Sequence, residues 1–548
     1  MKKSTFLRLA FLVNLLMINY CLDAQNWNWF LKGKGLTAIP GQSNTINAIT
    51  QDASGDIYIT GSFRDTLILD EDTLISTGFN DAFAAKYDIL QNLIWVKQMA
   101  GSGVVDCKGL DIDNFGNVIL GGSFQGDFQF ESSINISSTG TSELFLLWLD
   151  YQGNLIQYEV SSGVDYAEIF ALEVNQTNDI LITGNFFGNL IKDNVNISTT
   201  QGQDFFCIKV KQNGLFEWGV QSTGGGNLSS GISLDSENNI YLTGSFEDGA
   251  EIGDNLLLSV NGNHNMFVTK YTTNGTNEWV YTITGMNEVH GNNIHVNSNN
   301  TIGIVGEFRQ TAEVGIGPDT LIQSEGNYDI LLLILSKDGD YKFAHGFGGL
   351  NDDIPTDITA DFYGNFVITG KFGHNAEFVD TAIFPVGTAN TFIAKINQEH
   401  LDWIKSIPGT GLNEGNCLYY GQNEKIYLGG TIRDSIFPSP DTLVAESKKD
   451  FYLAELSDYI DHSQYLSIFE IKTPPISLFP NPCQGSFTLE TNQKILQTEI
   501  YNINGQLVHT KTINSFNYTF SGELNPGIYI LNVQTNQGWL SSKLVVSY

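Results

Sequence analysis

The sequence predicts an all-β protein, a seven-bladed β-propeller followed by a small C-terminal β-sandwich. The main observation is a motif in which a short apolar run ends at Gly, followed by a small or polar residue and usually Phe. The motif recurs at intervals of 60 to 64 residues. A fixed period that holds four strands per copy is typical of a radial propeller. The seven glycines are Gly61, Gly122, Gly184, Gly244, Gly306, Gly370 and Gly430.

Two further series keep this period. An acidic or amide residue begins another apolar strand in every copy, and an aromatic residue follows on the next strand in six copies. The first such aromatic residue is Trp95, and Trp29 precedes it by 66 residues. We therefore predict that the strand around Trp29 completes the last blade and closes the ring, which removes exposed sheet edges. The acidic or amide positions are Asp81, Glu143, Asp204, Asn265, Asp329, Asn390 and Asp450.

The N-terminus predicts an export signal. Residues 1–24 combine three basic residues with a short apolar stretch and end at Ala24, the pattern of a secretory signal peptide. The residues before Cys21 disfavour a lipoprotein. Residues 25–460 hold the propeller, residues 461–472 form a linker, and residues 473–548 form a second domain.

Composition limits the function classes. The net charge is −33, which argues against a nucleic-acid partner. Low charge density with many aromatic residues describes a compact exported protein, which we expect to be a monomer. Cys107, Cys207, Cys417 and Cys483 show neither metal-binding spacing nor an obvious pair, so we expect isolated structural residues.

Short acidic turns recur at Asp52, Asp113, Asp235 and Asp361. An Asp at the first position of a turn accepts hydrogen bonds from its own backbone, and Gly or Asn supplies a positive φ. Calcium is the alternative, but each turn offers one carboxylate, whereas a calcium loop needs several oxygen ligands. We therefore expect no cofactor and keep calcium as the minor alternative.

The site prediction follows from the loops. The two short hairpins of each repeat belong on one face of the disc, and the longer connections lie on the opposite face, where function usually resides. Residues that enter the innermost strands should surround the central funnel, unless they serve only turn formation and solubility. The candidate ligand-binding ring is Asn44, Asp106, Glu168, Asn227, His290, Asp353 and Glu414.

The repeats resemble a known bacterial family. A run from Asn239 to Phe246, followed by Lys270, Tyr271 and Trp279, is similar to the seven-bladed propeller repeats called SBBP. The resemblance covers residues 27 to 457. It implies the fold but no activity, because propellers support many functions.

The C-terminal segment resembles the sorting domain of the type IX secretion system of Bacteroidetes, a small β-sandwich. Its motifs are Phe479-Pro480-Asn481-Pro482, a segment around Asn504-Gly505, and Asn525-Pro526-Gly527. The resemblance implies interaction with the type IX secretion machinery. It also implies passage through the periplasm to the outer-membrane surface or the medium.

Three functions remain open. No nucleophile elbow, zinc-protease motif or phosphate loop occurs, and no pair of funnel carboxylates is singled out. We favour a non-catalytic module that binds glycan or protein in adhesion or nutrient capture. A structural envelope protein and a glycan-active enzyme that uses funnel carboxylates are the alternatives.

Overall fold

The computed structural model describes most of the chain. The described residues are 27–35, 43–131, 133–161, 164–199, 201–259, 263–315, 321–379, 381–397, 400–438, 442–458, 477–502, 506–522, 524–535 and 538–547. The predicted signal peptide, the linker and Gly505 lie outside these residues.

The regular secondary structure of the described residues is β-strand, apart from one short 3₁₀ turn. Strand β1 is Trp27–Gly33, and repeat 1 holds β2 (Asn44–Gln51), β3 (Ile57–Phe63), β4 (Thr66–Leu69), β5 (Asp72–Ile75), β6 (Asp81–Tyr87) and β7 (Leu93–Gly101). Repeat 2 holds β8 (Val105–Ile112), β9 (Val118–Phe124), β10 (Asp127–Phe130), β11 (Ile134–Ser137), β12 (Glu143–Leu149) and β13 (Leu155–Val160). Repeat 3 holds β14 (Tyr166–Val174), β15 (Ile180–Phe187), β16 (Asn189–Lys192), β17 (Val195–Ser198), β18 (Asp204–Val210) and β19 (Phe216–Thr223).

The later repeats follow the same order. Repeat 4 holds β20 (Leu228–Leu234), β21 (Ile240–Phe246), β22 (Glu251–Ile252), β23 (Asn255–Leu256), β24 (Asn265–Tyr271) and β25 (Asn277–Ile283). Repeat 5 holds β26 (Val289–Val296), β27 (Thr301–Glu313), β28 (Leu321–Ser336) and β29 (Tyr341–Phe347). Repeat 6 holds β30 (Asp353–Ala360), β31 (Phe366–Phe372), β32 (Ala376–Phe378), β33 (Thr381–Ile383), β34 (Asn390–Asn397) and β35 (His400–Ile407). Repeat 7 holds β36 (Gly409–Thr410), β37 (Glu414–Gly421), a 3₁₀ turn (Gln422–Glu424), β38 (Lys425–Ile432), β39 (Ser435–Ile436), β40 (Leu443–Val444) and β41 (Asp450–Ser457).

Each repeat builds an antiparallel sheet from four main strands, which we number sheets 1 to 7 with the repeats. The first main strand of each sheet is its inner strand, and the seven inner strands are β2, β8, β14, β20, β26, β30 and β37. Each inner strand contacts that of the next sheet, and β37 contacts β2. The arrangement of the described residues is therefore propeller-like.

Strand β1 supplies the fourth strand of sheet 7. It pairs with β41 in antiparallel register, with Trp29 opposite Glu455 and Leu31 opposite Leu453. The stacked rings of Phe83 and Phe451, 5.4 Å apart, join sheets 1 and 7. Trp29 and Leu31 pack on the same apolar cluster, so burial of apolar surface holds the two ends of the repeat region together.

A β-bulge in every inner strand explains the repeated glycine. The register between first and second strands shifts once per sheet, for example between Ile46 and Ala48 and between Ile169 and Ala171. The bulge directs an inner-strand carbonyl at the glycine of the next strand. A Cβ on any of the seven glycines would lie closer than 3.0 Å to that oxygen. The residues in the bulges are Asn47, Lys108, Phe170, Ser230, Asn292, Thr356 and Asn416.

The longer connection between the second and third main strands carries a short hairpin that the sequence analysis missed. In repeat 2 the hairpin strand β10 pairs with β7 of sheet 1. In repeat 1 the corresponding bridge joins Ile68 to Lys34, which directly follows β1. The hairpin thus contacts the outermost strand of the preceding sheet, and β1 occupies that place for repeat 1.

Contacts divide the chain into two units, Met1–Tyr459 and Ile460–Tyr548. The second unit contains β42 (Ser477–Phe479), β43 (Ser486–Asn502), β44 (Leu507–Ser521), β45 (Gly527–Thr535) and β46 (Gly538–Val546). These strands form one five-stranded sheet. Strand β43 is a single long strand whose pairing shifts between Glu490 and Ile495, and both of its halves stay hydrogen-bonded to β44. Phe487 from one half and Ile500 from the other pack in the same apolar cluster.

We predict that Gly184→Ala strongly destabilises the repeat region. The added methyl would meet the carbonyl of Glu168, which is backbone and has no room to move. We expect a loss of about 3 kcal/mol or more, at the upper end of overpacking effects, measured by urea unfolding. Gly116→Ala is the control, because its added methyl meets nothing within 4 Å and only its φ of 81° is strained. It should cost about 1–2 kcal/mol, and equal losses in both variants would contradict the bulge explanation.

Candidate functional site

Four of the seven predicted ring residues occupy one equivalent position. Asp106, Glu168, His290 and Glu414 each lie opposite the residue that follows a repeat glycine, namely Ser123, Asn185, Glu307 and Thr431. We call these four residues the funnel mouth. Thr45, Leu228 and Ile354 hold the same position in the other sheets.

The other three predicted residues, Asn44, Asn227 and Asp353, lie one position earlier and are fully buried. They hold backbone groups together. The Oδ1 atom of Asn227 accepts a hydrogen bond from the Glu247 amide at 3.2 Å, and Asp353 accepts one from Gly373 at 3.1 Å. This corrects the ring prediction for these three residues, because a shift of one residue along a strand moves a side chain to the other face.

Charged partners surround Glu414. Its carboxylate lies 3.5 Å from both Lys371 and Lys449 and accepts a hydrogen bond from the Thr431 hydroxyl at 3.3 Å. Burial favours the neutral acid, but the two lysines outweigh it and lower the pKa of Glu414. The carboxylate is therefore ionised and already has counter-charges.

His290 belongs to a second group at the mouth. Its ring lies 5.6 Å from that of His264, whose Nε2 is 3.4 Å from Glu247. Burial and then the neighbouring His264 lower the pKa of His290, against the opposing effect of Glu288. Glu288 in turn accepts a hydrogen bond from the Tyr328 hydroxyl. The mouth thus combines neutral imidazole with ionised and hydrogen-bonded carboxylates.

The acidic turns use their oxygens within the turn. Asp113 Oδ1 accepts the amides of Phe115 and Asn117 at 2.9 and 2.8 Å, and Oδ2 accepts the Asn117 side chain at 2.8 Å. Asp235 and Asp361 repeat this pattern. The turn chemistry expected from the sequence is therefore present.

Residues of the bulges connect neighbouring inner strands. The Asn47 amide donates to the Cys107 carbonyl at 3.0 Å, and Asn292 donates to Pro355 at 2.7 Å. Thr356 donates to Gly415 at 2.7 Å. The Asn416 amide donates to Ile46 at 3.0 Å, so this series crosses from the last inner strand to the first.

A cavity of about 350 Å³ lies among the inner strands beyond the mouth, and residues from all seven of them line it. Its walls include Leu110, Leu172, Ile294 and Leu418, and its polar side chains include Asp111, Glu173, His295 and Asp357. Mixed apolar walls with a few polar groups are typical of ligand sites.

The sequence analysis missed the cavity, although the sequence holds a signal for it. A polar or tyrosine side chain occurs eleven residues before each repeat glycine. The register places all seven at one equivalent position, opposite the residue three before the glycine. The residues are Thr50, Asp111, Glu173, Ser233, His295, Thr359 and Tyr419.

The cavity carboxyl groups accept hydrogen bonds from the next inner strand, and they form no ion pair with any cation in the described part of the chain. The Asp111 Oδ2 atom accepts the Val174 amide at 2.8 Å, and Asp357 Oδ2 accepts the Leu418 amide at 2.6 Å. Burial raises the pKa of Asp111 to about 6 and that of Asp357 to about 7. Burial and then the charge of Asp111 raise the pKa of Glu173 to about 8.

His295 lies on the same wall and has no hydrogen-bond partner within the part of the chain that the structure describes. Burial lowers the pKa of its imidazole to about 4. The ring is therefore neutral at physiological pH and offers both a donor and an acceptor to the cavity.

The first sorting motif, residues 479–482, lies near the start of the second unit, and Pro526 and Gly527 lie where β45 begins. Asn481 donates to the Lys543 carbonyl and accepts the Val545 amide, both at 2.8 Å, which fixes the motif against β46. Phe479 is half exposed. Pro480, Pro482 and Pro526 carry no amide proton, so they limit pairing along these edges.

Among the described residues no helix is long and apolar enough to cross a membrane. No group of three or more His, Cys, Asp and Glu residues in that same part is placed to hold a metal ion. All four cysteines there are buried and unpaired, as expected.

Comparison with known families finds a match to the Secretion system C-terminal sorting domain over residues 477–547. This confirms the predicted type IX sorting domain. It implies delivery by type IX secretion to the cell surface or the medium, and interaction with that machinery.

The repeat region has weaker relatives. An uncharacterized WD repeat-containing protein of Acanthamoeba polyphaga mimivirus is 24% identical over 285 residues, which are 44% of this chain but only 19% of that protein. A catalytically inactive virginiamycin B lyase from Staphylococcus aureus with quinupristin has a TM-score of 0.38 at 10% identity, covering 79% of this chain and 99% of its own. PorZ, a surface component of the type IX secretion system of Porphyromonas gingivalis, has a TM-score of 0.21 at 8% identity, covering 92% and 82%.

We predict that stability falls as pH rises because of the cavity carboxyls. Glu173 binds its proton more tightly in the folded chain than in the unfolded chain, where its pKa is near 4.5. Its contribution is therefore fully present below about pH 4.5 and is lost towards pH 8. Between pH 5 and pH 8 the free energy of unfolding of Glu173→Gln should rise by about 2 kcal/mol relative to that of the unmodified protein. Urea unfolding at each pH measures this difference. Glu71→Gln, at an exposed position, is the control, and parallel pH profiles for all three proteins would contradict the assignment.

Proposed function

We propose that this chain is an exported Bacteroidetes protein whose SBBP-type repeats form a closed seven-bladed propeller that binds glycan or protein without catalysis. Residues 1–24 direct it to the periplasm, and type IX secretion delivers the monomer to the surface or the medium. It acts in adhesion or nutrient capture and uses neither a nucleic-acid partner nor a resident cofactor.

Pairing and packing support the closed ring. Strand β1 pairs with β41 across more than 400 residues of sequence, and inner strands β37 and β2 are in contact. The hydrogen bond from Asn416 to Ile46 joins sheets 7 and 1. It belongs to the series of bulge hydrogen bonds that also joins other pairs of neighbouring sheets. A closed ring leaves the mouth side chains on a rigid frame, which lowers the entropy cost of binding.

The observation that carries the binding role is the Glu414 group. Its ionised carboxylate and the two lysine ammonium groups, all partly exposed, offer acceptors and donors side by side. Hydroxyl-rich glycans or polar protein segments satisfy such groups. Because the charges are already paired, the group favours recognition by hydrogen bonds over capture of a strongly charged ligand.

A glycan-active enzyme is the second candidate, and one observation favours it. Glu307 and Glu414 both interact with Lys371, and their pKa values are displaced in opposite directions. Burial raises the pKa of Glu307, whereas that of Glu414 is lowered. A proton donor and an ionised carboxylate are the two groups that glycoside hydrolysis uses.

The closed ring predicts a specific cross-link. Leu31→Cys and Leu453→Cys replace residues that face each other in β1 and β41, so oxidation should join them and change the electrophoretic mobility under denaturing conditions. The matched control pairs Leu31→Cys with Leu332→Cys, which holds the corresponding position in repeat 5. No cross-link in the first pair, or equal yields in both, would show that the ring is not closed by β1.

The binding role predicts a loss of affinity at the mouth. A panel of glycans and polysaccharides is tested for binding to, and degradation by, the full-length chain. Glu414→Gln should lower the affinity for the retained ligand about tenfold, the usual effect of removing one charged hydrogen-bonding group. Glu71→Gln should leave this affinity unchanged. Degradation that is lost in Glu414→Gln, Glu307→Gln or Glu168→Gln would instead establish the enzyme. Absence of any ligand would favour the structural envelope protein.

A further inference from the structure

The central cavity holds more negative charge than the fold requires. At the equivalent positions Asp111 and Ser233, each side chain accepts an amide of the next inner strand, from Val174 at 2.8 Å and Val296 at 3.1 Å respectively. A neutral hydroxyl therefore makes this connection as well as a carboxylate does. The carboxylate of Asp111 thus adds a desolvation cost that this connection does not require.

The three carboxyl groups are arranged on opposite walls. Asp111 and Glu173 lie on neighbouring inner strands at the same level. Asp357 lies on sheet 6, two residues before that level, where Asn293 donates to it at 2.5 Å. In a ring of seven, the point between sheets 2 and 3 faces sheet 6. The cavity thus has two anionic ends separated by its width.

The lining between these ends is apolar. Leu110, Leu172, Ile358 and Leu418 line the cavity, and methylene groups are the natural partners of such walls. The nearest lining cation is Lys108, which is engaged elsewhere, 3.6 Å from Asp106 and 3.9 Å from the centre of the Phe170 ring. The other titratable groups of the lining are His295, Cys417, Tyr419 and Tyr420. His295 is partly exposed and has no hydrogen-bond partner among the described residues, so the cavity also offers one unused hydrogen-bonding ring.

We propose that the central cavity binds a small aliphatic diamine, with one ammonium group between Asp111 and Glu173 and the other at Asp357. The neutral His295 imidazole accepts a further N–H from the ligand. An organic cation fits better than a metal ion, because no group of three or more ligating side chains in the described residues is placed around a common point. This site rests on the closed ring of the proposed function but is separate from the funnel mouth.

Binding is coupled to proton release. The carboxyl groups are partly protonated at neutral pH, because burial raises the pKa of Asp357 to about 7 and that of Glu173 to about 8. A bound diammonium ion favours their ionised forms. Affinity should therefore rise between pH 6 and pH 8.5, and protons should leave the protein as the ligand binds.

The test is titration calorimetry on the full-length chain with putrescine and cadaverine, against butylamine and butanediol. Both diamines should bind, and butylamine should bind about tenfold more weakly because it reaches one end only. Asp357→Asn should lower the affinity for both diamines about tenfold and leave the affinity for butylamine unchanged. Glu173→Gln should lower the affinity for all three amines. Titration in buffers of different ionisation enthalpy measures the released protons.

The control variant is Glu414→Gln at the mouth, which should leave diamine affinity unchanged. No diamine binding, equal affinity for butanediol, displacement of the diamine by calcium at equal concentration, or insensitivity to Asp357→Asn would each overturn the proposal. If the diamines do not bind, but the cysteines at positions 31 and 453 cross-link and a glycan is bound, this cavity site alone is refuted. An absent cross-link would refute the ring itself.

Discussion

The close approach of an inner-strand carbonyl to the repeat glycine is the constraint on which the repeat region depends. A side chain at the glycine would occupy the place of that oxygen, so glycine permits the bulge, and the bulge turns one residue of the inner strand towards the neighbouring sheet. Asn47, Asn292 and Asn416 use that turn to donate to the next inner strand. The repeated glycine and the contact between neighbouring inner strands thus have a common origin.

Polar residues of the repeats divide into those that hold loops and those that remain available to a ligand. Asp81 is fully buried and accepts the Thr77 amide at 2.9 Å and the Gly101 amide at 3.2 Å. Asn390 and Asp450 accept the amide four residues before them in the same way. A buried acceptor that satisfies backbone donors is costly to remove, which explains why an acid or amide recurs there in every repeat. With these residues set aside, the funnel mouth and the cavity stand out as polar positions whose side chains are partly exposed.

The sequence predicted the repeat, its period, the turn chemistry and the sorting domain, because these depend on local patterns. It predicted the mouth only in part: Asp106 and Asn44 are both polar residues near the start of an inner strand, but a difference of one position buries Asn44 completely. The cavity was missed for the same reason, since the bulge decides which side chains face the centre and no propensity reveals a bulge. The single long β43 was missed because its change of pairing near Glu490 depends on the partner strands and not on its own residues.

Counter-charges distinguish the two polar regions. The chain has 27 basic and 60 acidic residues, so most carboxylates cannot each have a cation as a partner. The positions of the lysines and arginines therefore indicate which carboxylates are kept ionised. At the mouth, Lys371 and Lys449 keep Glu414 ionised, and the charges are balanced before any ligand arrives. In the cavity, Asp111, Glu173 and Asp357 have backbone donors but form no ion pair within the described residues, so their ionised forms are disfavoured and protons compensate for the missing positive charge. A group with balanced charge favours ligands that form hydrogen bonds, whereas an unbalanced one favours ligands of opposite charge, and the two polar regions therefore differ in their chemistry.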